Sequence, residues 1–218
     1  KGYAPHIRDA LIDLGIGPRD LKYILLSHEH HDHAGGLAFV QQWSGAPVLT
    51  RAPAVAALRR GRTDRSDPQF AVGEAMPPVE TVQVVADGEA ITLGNVTVTA
   101  IATPGHTPGG TSWRWRQCDK GGVCHDLVYV ESLSLLSDAV FRYSDAPALT
   151  DAYSAALSVL AAAPCTIALT THPQASDLIA RLDGEAPLID AEGCRTLAAR
   201  GQDNLKTRLA KEAAGVLP

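Results

Sequence analysis

Four of the eight histidines of this 218-residue chain fall between residues 28 and 33, and this cluster constrains the possible folds more than any other feature. The segment from Ser27 to Gly36 reads Ser-His-Glu-His-His-Asp-His-Ala-Gly-Gly and directly follows the apolar run 23–26, whose length is typical of a buried strand. A low-complexity histidine tract would lack such a strand before it and an apolar helical pattern after it. The cluster is therefore predicted to be part of the folded core.

The spacing within the cluster suits metal binding. His28 and His30 alternate, so an extended backbone sends both imidazoles to the same side. Asp32 and His33 follow at once, where a turn can direct them toward a second ion. Neutral imidazole and carboxylate are ligands that zinc favours. The segment therefore predicts ligands for two zinc ions.

Two further histidines lie in loops that follow strand-like segments. His106 is flanked by Pro and Gly in the stretch 103–110, and His172 lies in the Thr-Thr-His-Pro stretch 170–173. The six candidate ligands divide into two groups of three, which leaves each ion open positions for water, as catalytic zinc requires. The remaining histidines are left outside the predicted site: His6, His31 and His125.

Helical and strand-like patterns interleave along the chain without a repeat or a linker. This order predicts an α/β or α+β class with helices covering sheets, in one domain that spans residues 1–218. Helices are expected at 7–14, 35–43, 54–58, 148–162, 175–182 and 192–214, and strands at 23–26, 47–49, 81–85, 90–93, 96–101, 112–116, 127–130 and 166–170. The polar stretch 60–78 is predicted to be a loop near the mouth of a site.

The composition excludes several function classes. No apolar run approaches the roughly 18 residues of a membrane span, so no membrane partner is expected. Net charge is −5 and the basic residues are scattered, which argues against nucleic-acid binding.

The four cysteines form no C-x-x-C pair; they suit either two disulfides in an oxidising compartment or unpaired structural thiols.

These motifs resemble the metallo-β-lactamase superfamily. The resemblance rests on residues 28–33, on Gly-His-Thr-Pro-Gly-Gly at 105–110 and on the later Thr-His-Pro, and it covers nearly the whole chain. It implies an αββα four-layer sandwich with metals at one edge of two sheets. Ser132 stands where most hydrolases of the superfamily have a bridging Asp, and the stretch 105–113 is similar to subclass B3 β-lactamases. The subclass also implies disulfides: Cys165 with Cys194, and Cys118 with Cys124.

The resemblance further implies roles for individual residues. His28, His30 and His106 would bind the first zinc, and Asp32, His33 and His172 the second. A hydroxide between the two Zn²⁺ ions would attack the lactam carbonyl, with Asp32 as the catalytic residue that orients it. Substrate contacts are expected from Ser132 and Ser134, and from Gln69 in the long loop. The expected partner is a small-molecule β-lactam, and the protein is expected to be a periplasmic or secreted monomer that confers antibiotic resistance.

Two features depart from the subclass. The usual Ala-Asp-Ser is replaced by Val130-Glu131-Ser132, and we expect Glu131 to be a supporting or surface carboxylate rather than a bridging ligand. The family's N-terminal strands have no counterpart before Lys1, and we expect that they were omitted from this sequence. The alternatives are another hydrolase of the same fold, such as a lactonase or a glyoxalase II-like thioesterase, and a non-catalytic zinc-binding protein.

Overall fold

The computed structural model describes residues 4–216, which form two β-sheets with helices on their outer sides. The smaller sheet is parallel, in the order β1-β2-β3, and consists of Ile24–Leu25, Val48–Thr50 and Val82–Val84. The larger sheet has the order β4-β5-β6-β7-β8 and consists of Ala90–Leu93, Val96–Ala102, Thr111–Cys118, Cys124–Val130 and Ile167–Thr170. Its last pair, β7 with β8, is parallel, so the ends of these two strands meet at one edge of the sheet.

Seven α-helices accompany the sheets within the described residues. They are α1 (Ala4–Asp13), α2 (His31–Ala34), α3 (Leu37–Ser44), α4 (Ala52–Arg60), α5 (Pro147–Ala162), α6 (Leu178–Leu182) and α7 (Gly193–Ala213). None of the helices in this part of the chain is long and apolar enough to cross a membrane.

Three apolar clusters account for the layers. The cluster around Leu58 and Val48 packs α3 and α4 against the small sheet, and the cluster around Leu157 and Val128 packs α5 and α7 against the large one. Between the sheets lies a third cluster that includes Trp113, whose indole N–H donates to the Leu26 carbonyl at 2.9 Å. Burial of these side chains is the main stabilising contribution. The predicted αββα sandwich is thereby confirmed.

Most predicted elements are present, and two differ. The strand expected at 23–26 is reduced to Ile24–Leu25, because the chain turns away from its parallel partner after Leu26 to enter the histidine segment. The helix expected at 175–182 is divided into a 3₁₀ turn at Pro173–Ser176 and the short α6. Asp177 lies between them with φ of 49°, a left-handed conformation that a continuous helix does not allow.

The cysteines are paired in two disulfides. Cys118–Cys124 closes the turn between β6 and β7, and Cys165–Cys194 ties the start of β8 to the start of α7. The alternative of four unpaired thiols is therefore wrong. Both bridges restrict the unfolded chain and thus favour the folded state.

Candidate metal centre

The first group of candidate ligands lies at the ends of two strands. His28 and His30 follow β1 on extended backbone, and His106 follows β5. The His30 Nδ1 and His106 Nε2 atoms are 3.2 Å apart, and one ring nitrogen from each of the three residues lies within 4.8 Å of the others. All three side chains are at least nine-tenths buried. The predicted alternation thus brings both imidazoles to one side.

A glycine holds His106 in place. Gly105 has φ of +148°, and a Cβ at this position would lie 2.2 Å from the ring of Tyr153. Tyr143 donates a hydrogen bond to the Gly105 carbonyl at 3.1 Å. Because a side chain fits neither the backbone conformation nor the space, only glycine lets this loop pass so close to the tyrosines.

In each histidine of the first group, the other ring nitrogen lies within 3.0 Å of an oxygen atom. His28 Nδ1 is 2.7 Å from Glu131 Oε1, and His30 Nε2 is 2.9 Å from Asp67 Oδ2. His106 Nδ1 is 3.0 Å from the carbonyl oxygen of Ser134. A carbonyl only accepts, so His106 carries its proton on Nδ1 and leaves a lone pair on Nε2. Such partners fix the orientation of metal-binding imidazoles.

Electrostatics differ sharply among these histidines. Burial lowers the pKa of His28 well below its usual value, and burial together with the nearby His30 lowers the pKa of His106 to about 4. Burial also lowers the pKa of His30, but the hydrogen bond and the charge of the Asp67 carboxylate have the larger effect, so the pKa of His30 is raised overall. His28 and His106 are therefore neutral imidazoles near neutral pH, the form that binds metal.

The second group lies closer to solvent. The one-turn helix α2, which begins directly after His30, contains Asp32 and His33. His33 Nε2 is 3.2 Å from His172 Nε2, and Asp32 Oδ2 lies 3.2 Å from His33 and 3.8 Å from His172. The hydrogen bond with His33 holds the pKa of Asp32 below its usual range. The structure thus brings all six candidate ligands close together. The second set of donor atoms that lie within 4.8 Å of one another is His28, Asp32 and His33, and His172 adjoins this set through His33.

The residues present fit metal ions. Ligands of tetrahedral zinc at about 2.05 Å lie about 3.3 Å from one another. Four pairs of donor atoms are separated by 3.2 to 3.8 Å, and the donor nitrogens of the first group lie within 4.8 Å of one another. Neither ring nitrogen of the buried His28 makes a hydrogen bond of good geometry within the described residues: Nδ1 lies 2.7 Å from Glu131 Oε1 but is poorly aligned with it, and Nε2 has no partner. Leaving such an atom unsatisfied is costly, and a cation would satisfy it. The cluster is therefore capable of holding a metal ion.

A cavity of about 560 Å³ opens onto both groups. Ser132, Ser134 and Gln69, the predicted substrate contacts, all line it. Ser134 Oγ also lies 3.0 Å from His106 Nδ1, and Gln69 Nε2 lies 3.4 Å from His106 Nε2. The histidines excluded from the prediction belong to neither ligand group: His6, His31 and His125.

Sequence reasoning missed part of this arrangement. Asp67 was not predicted, although the loop that contains it was placed near the site mouth. Glu131 was expected to be a supporting or surface carboxylate, and the structure shows that it is buried directly behind His28. Burial raises the pKa of Glu131 well above its usual value. The only sequence signal for it was its place next to Ser132 at the end of β7.

Comparison with known sequences identifies the family. The metallo-β-lactamase superfamily profile matches residues 2–162, about three quarters of the chain. The chain belongs to the metallo-β-lactamase superfamily. Among curated relatives, a hydroxyacylglutathione hydrolase of Acidiphilium cryptum (strain JF-5) is 30% identical over 200 residues, which cover 85% of this chain and 69% of that protein. A second hydroxyacylglutathione hydrolase, from Idiomarina loihiensis, is 27% identical over 90 residues, 41% of this chain and 26% of its own length.

Solved structures of this superfamily are more similar. The metallo-β-lactamase MIM-1 from Novosphingobium pentaromativorans has a TM-score of 0.93 and 39% identity, over 97% of this chain and 78% of its own. MEM-A1, a subclass B3 metallo-β-lactamase from a soil metagenome library, has a TM-score of 0.91 and 40% sequence identity, over 97% of this chain and 83% of its own. The metallo-β-lactamase SMB-1 bound to 2-mercaptoethanesulfonate has a TM-score of 0.90 and 38% sequence identity, over 94% of this chain and 81% of its own.

Proposed function

We propose that this superfamily member is a subclass B3 metallo-β-lactamase that hydrolyses the amide of the β-lactam ring with two zinc ions. The observation that carries the proposal is the convergence of six donor side chains in two adjacent groups beside one cavity. Three donors per ion leave vacancies for water and substrate, whereas a purely structural zinc site would be closed by four. This difference favours an enzyme over a non-catalytic zinc-binding protein.

The residue at the end of β7 supports a lactamase over a thioesterase. Most hydrolases of the superfamily have a metal-bridging Asp there, and this chain has Ser132, as in subclass B3. The Ser132 and Ser134 hydroxyls lie 3.1 Å apart and face the cavity, and neither is a metal-bridging carboxylate. The similarity to hydroxyacylglutathione hydrolases keeps thioester hydrolysis as the second candidate.

We assign the proposed ligands as the resemblance implies. His28, His30 and His106 hold one ion, and Asp32, His33 and His172 hold the other. When bound, the two ions would lower the pKa of a coordinated water from about 15.7 toward about 7 and stabilise the negative charge that develops on the lactam amide.

The chain's own residues then orient the reactants. Asp32 shares one carboxylate oxygen with His33, and its other oxygen can accept a hydrogen bond from the attacking water. Ser134 supports His106, and both Ser132 and Ser134 offer hydroxyls to a polar group of the substrate. Gln69 lies at the opposite side of His106, where it can donate to the substrate.

The disulfides support a periplasmic or secreted location, because such bonds persist in oxidising compartments. We propose that the protein acts there as a monomer on small-molecule antibiotics and confers resistance to them.

The test measures ring opening of a carbapenem by the zinc-loaded protein, with and without a chelator. We expect activity that the chelator abolishes and added zinc restores. Asp32→Ala should lower both zinc content and rate, whereas Asp151→Ala, at an exposed position of α5, should change neither. Hydrolysis of a hydroxyacylglutathione thioester without ring opening would replace the lactamase proposal by the thioesterase. No hydrolysis of either substrate at full zinc occupancy would overturn both.

A further inference from the structure

One face of α7 forms a wall of the candidate active-site cavity. Leu197, Arg200, Gly201 and Asn204 line it, at the i, i+3, i+4 and i+7 positions that share one side of a helix. Gly201 also lets α7 pack tightly on α5, because a Cβ there would lie 2.7 Å from Leu157. The helix therefore presents these residues to the same cavity as four of the candidate ligands: His30, Asp32, His106 and His172.

Arg200 is the one side chain with a guanidinium or ammonium group among the described residues that line this cavity. Its guanidinium donates to the Ala175 carbonyl at 3.4 Å, which is long for a hydrogen bond. Arg181 differs: it donates to three backbone carbonyls, at 2.7, 2.8 and 3.2 Å, and so has a structural role. Arg200 keeps most of its five N–H donors for another partner.

The surroundings of Arg200 favour an anion. The cavity's imidazoles are taken up by the proposed metal ions, so they cannot pair with a substrate charge. Arg200 and the Ser132 and Ser134 hydroxyls line the same cavity, and guanidinium matches carboxylate geometry with two parallel hydrogen bonds. β-Lactam antibiotics have a carboxylate next to the ring nitrogen, so a substrate seated at the metals would present an anion to this wall.

We propose that Arg200 binds the substrate carboxylate and is a specificity-determining residue of this enzyme. The inference rests on the proposed β-lactamase function and adds a cationic contact from α7 to the predicted serine contacts. Binding through Arg200 makes the enzyme selective for β-lactams with a free carboxylate.

The experiment compares a chromogenic cephalosporin with its methyl ester, using zinc-loaded Arg200→Gln, Arg200→Lys and wild type. Arg195→Gln is the matched control, because it removes the same charge from an exposed site on α7 that pairs with Glu192. We expect Arg200→Gln to lower kcat/KM for the acid about tenfold, mainly through KM, and Arg200→Lys to recover part of the loss. Neither change should affect the ester, and Arg195→Gln should affect neither substrate.

Three results would overturn the assignment of Arg200: equal losses on acid and ester, no loss on either, or loss of zinc from Arg200→Gln. The last would give the arginine a structural role. Failure of the underlying function is a separate result, because wild type would then open neither ring.

Discussion

Replacing Glu131 by Gln should weaken zinc binding without unfolding the protein. The Glu131 and His28 side chains are both fully buried, and Oε1 lies 2.7 Å from Nδ1. Burial raises the pKa of Glu131 in the metal-free protein, but a cation bound at His28 Nε2 would favour the ionised form. The carboxylate would then fix the ring so that Nε2 faces the proposed first ion, and its negative charge would make the imidazole a stronger donor. The amide has nearly the same shape and lacks the charge.

The size of the effect follows from this burial. Loss of a partner behind a metal-binding histidine costs about 10- to 100-fold in metal affinity, or about 1.4 to 2.8 kcal/mol at 1.4 kcal/mol for each factor of ten. Water cannot replace the carboxylate, since both side chains have 0% exposure. We therefore expect Glu131→Gln to approach the upper end of this range.

The assay is zinc competition with a chromogenic chelator near neutral pH. Asp126→Asn is the control, because it removes a carboxylate at the other end of β7, where Asp126 pairs with Arg116 of β6, away from the six candidate ligands. It should leave zinc affinity unchanged. If Glu131→Gln held zinc as tightly as wild type, the carboxylate would have no role in orienting His28.

Four other changes test separate parts of the structure. Gly105→Ala should destabilise the protein by about 3 kcal/mol in urea unfolding, because the methyl group meets a buried tyrosine ring at a positive φ. Serine at both Cys165 and Cys194 should cost about 3 to 4 kcal/mol for a loop of this length, and removal of the shorter disulfide about 2. Asp67 raises the pKa of His30 above its ordinary value of 6.5. In the metal-free protein, the pairing of protonated His30 with Asp67 therefore stabilises the fold fully below about pH 6.5. This stabilisation is lost as the pH rises through the pKa of His30 in the folded protein. Asp67→Asn should abolish this pH dependence of the unfolding free energy, and an unchanged profile would refute the pairing.

The sequence predicted the parts of the site that depend on local geometry. Alternation at His28 and His30, and the turn that follows, depend on backbone conformation over a few residues. His106 and His172 follow strands of one sheet, so their approach to the cluster followed from the sandwich that the motifs implied. The six candidate ligands do lie close together.

The supporting residues could not be found in this way. Asp67 comes from an irregular loop, and its contact with His30 spans 37 residues. Arg200 lies on α7, and the sequence pattern of this helix indicates only that one face is buried. The face of α7 that lines the cavity is set by its packing against α5, where Gly201 allows a close approach. Such contacts are set by packing between distant elements, and local periodicity contains no signal for them.

The origin of these supporting groups also affects when the protein can acquire metal. His28 and His30 are close together from the moment that the first strand forms, but Glu131 and Asp67 reach them only after β7 and the long loop have packed. His172 arrives later still along the chain, after β8. A partly synthesised chain therefore offers only a few unsupported ligands, and complete binding of the proposed metal ions must follow folding of the nearly complete sandwich.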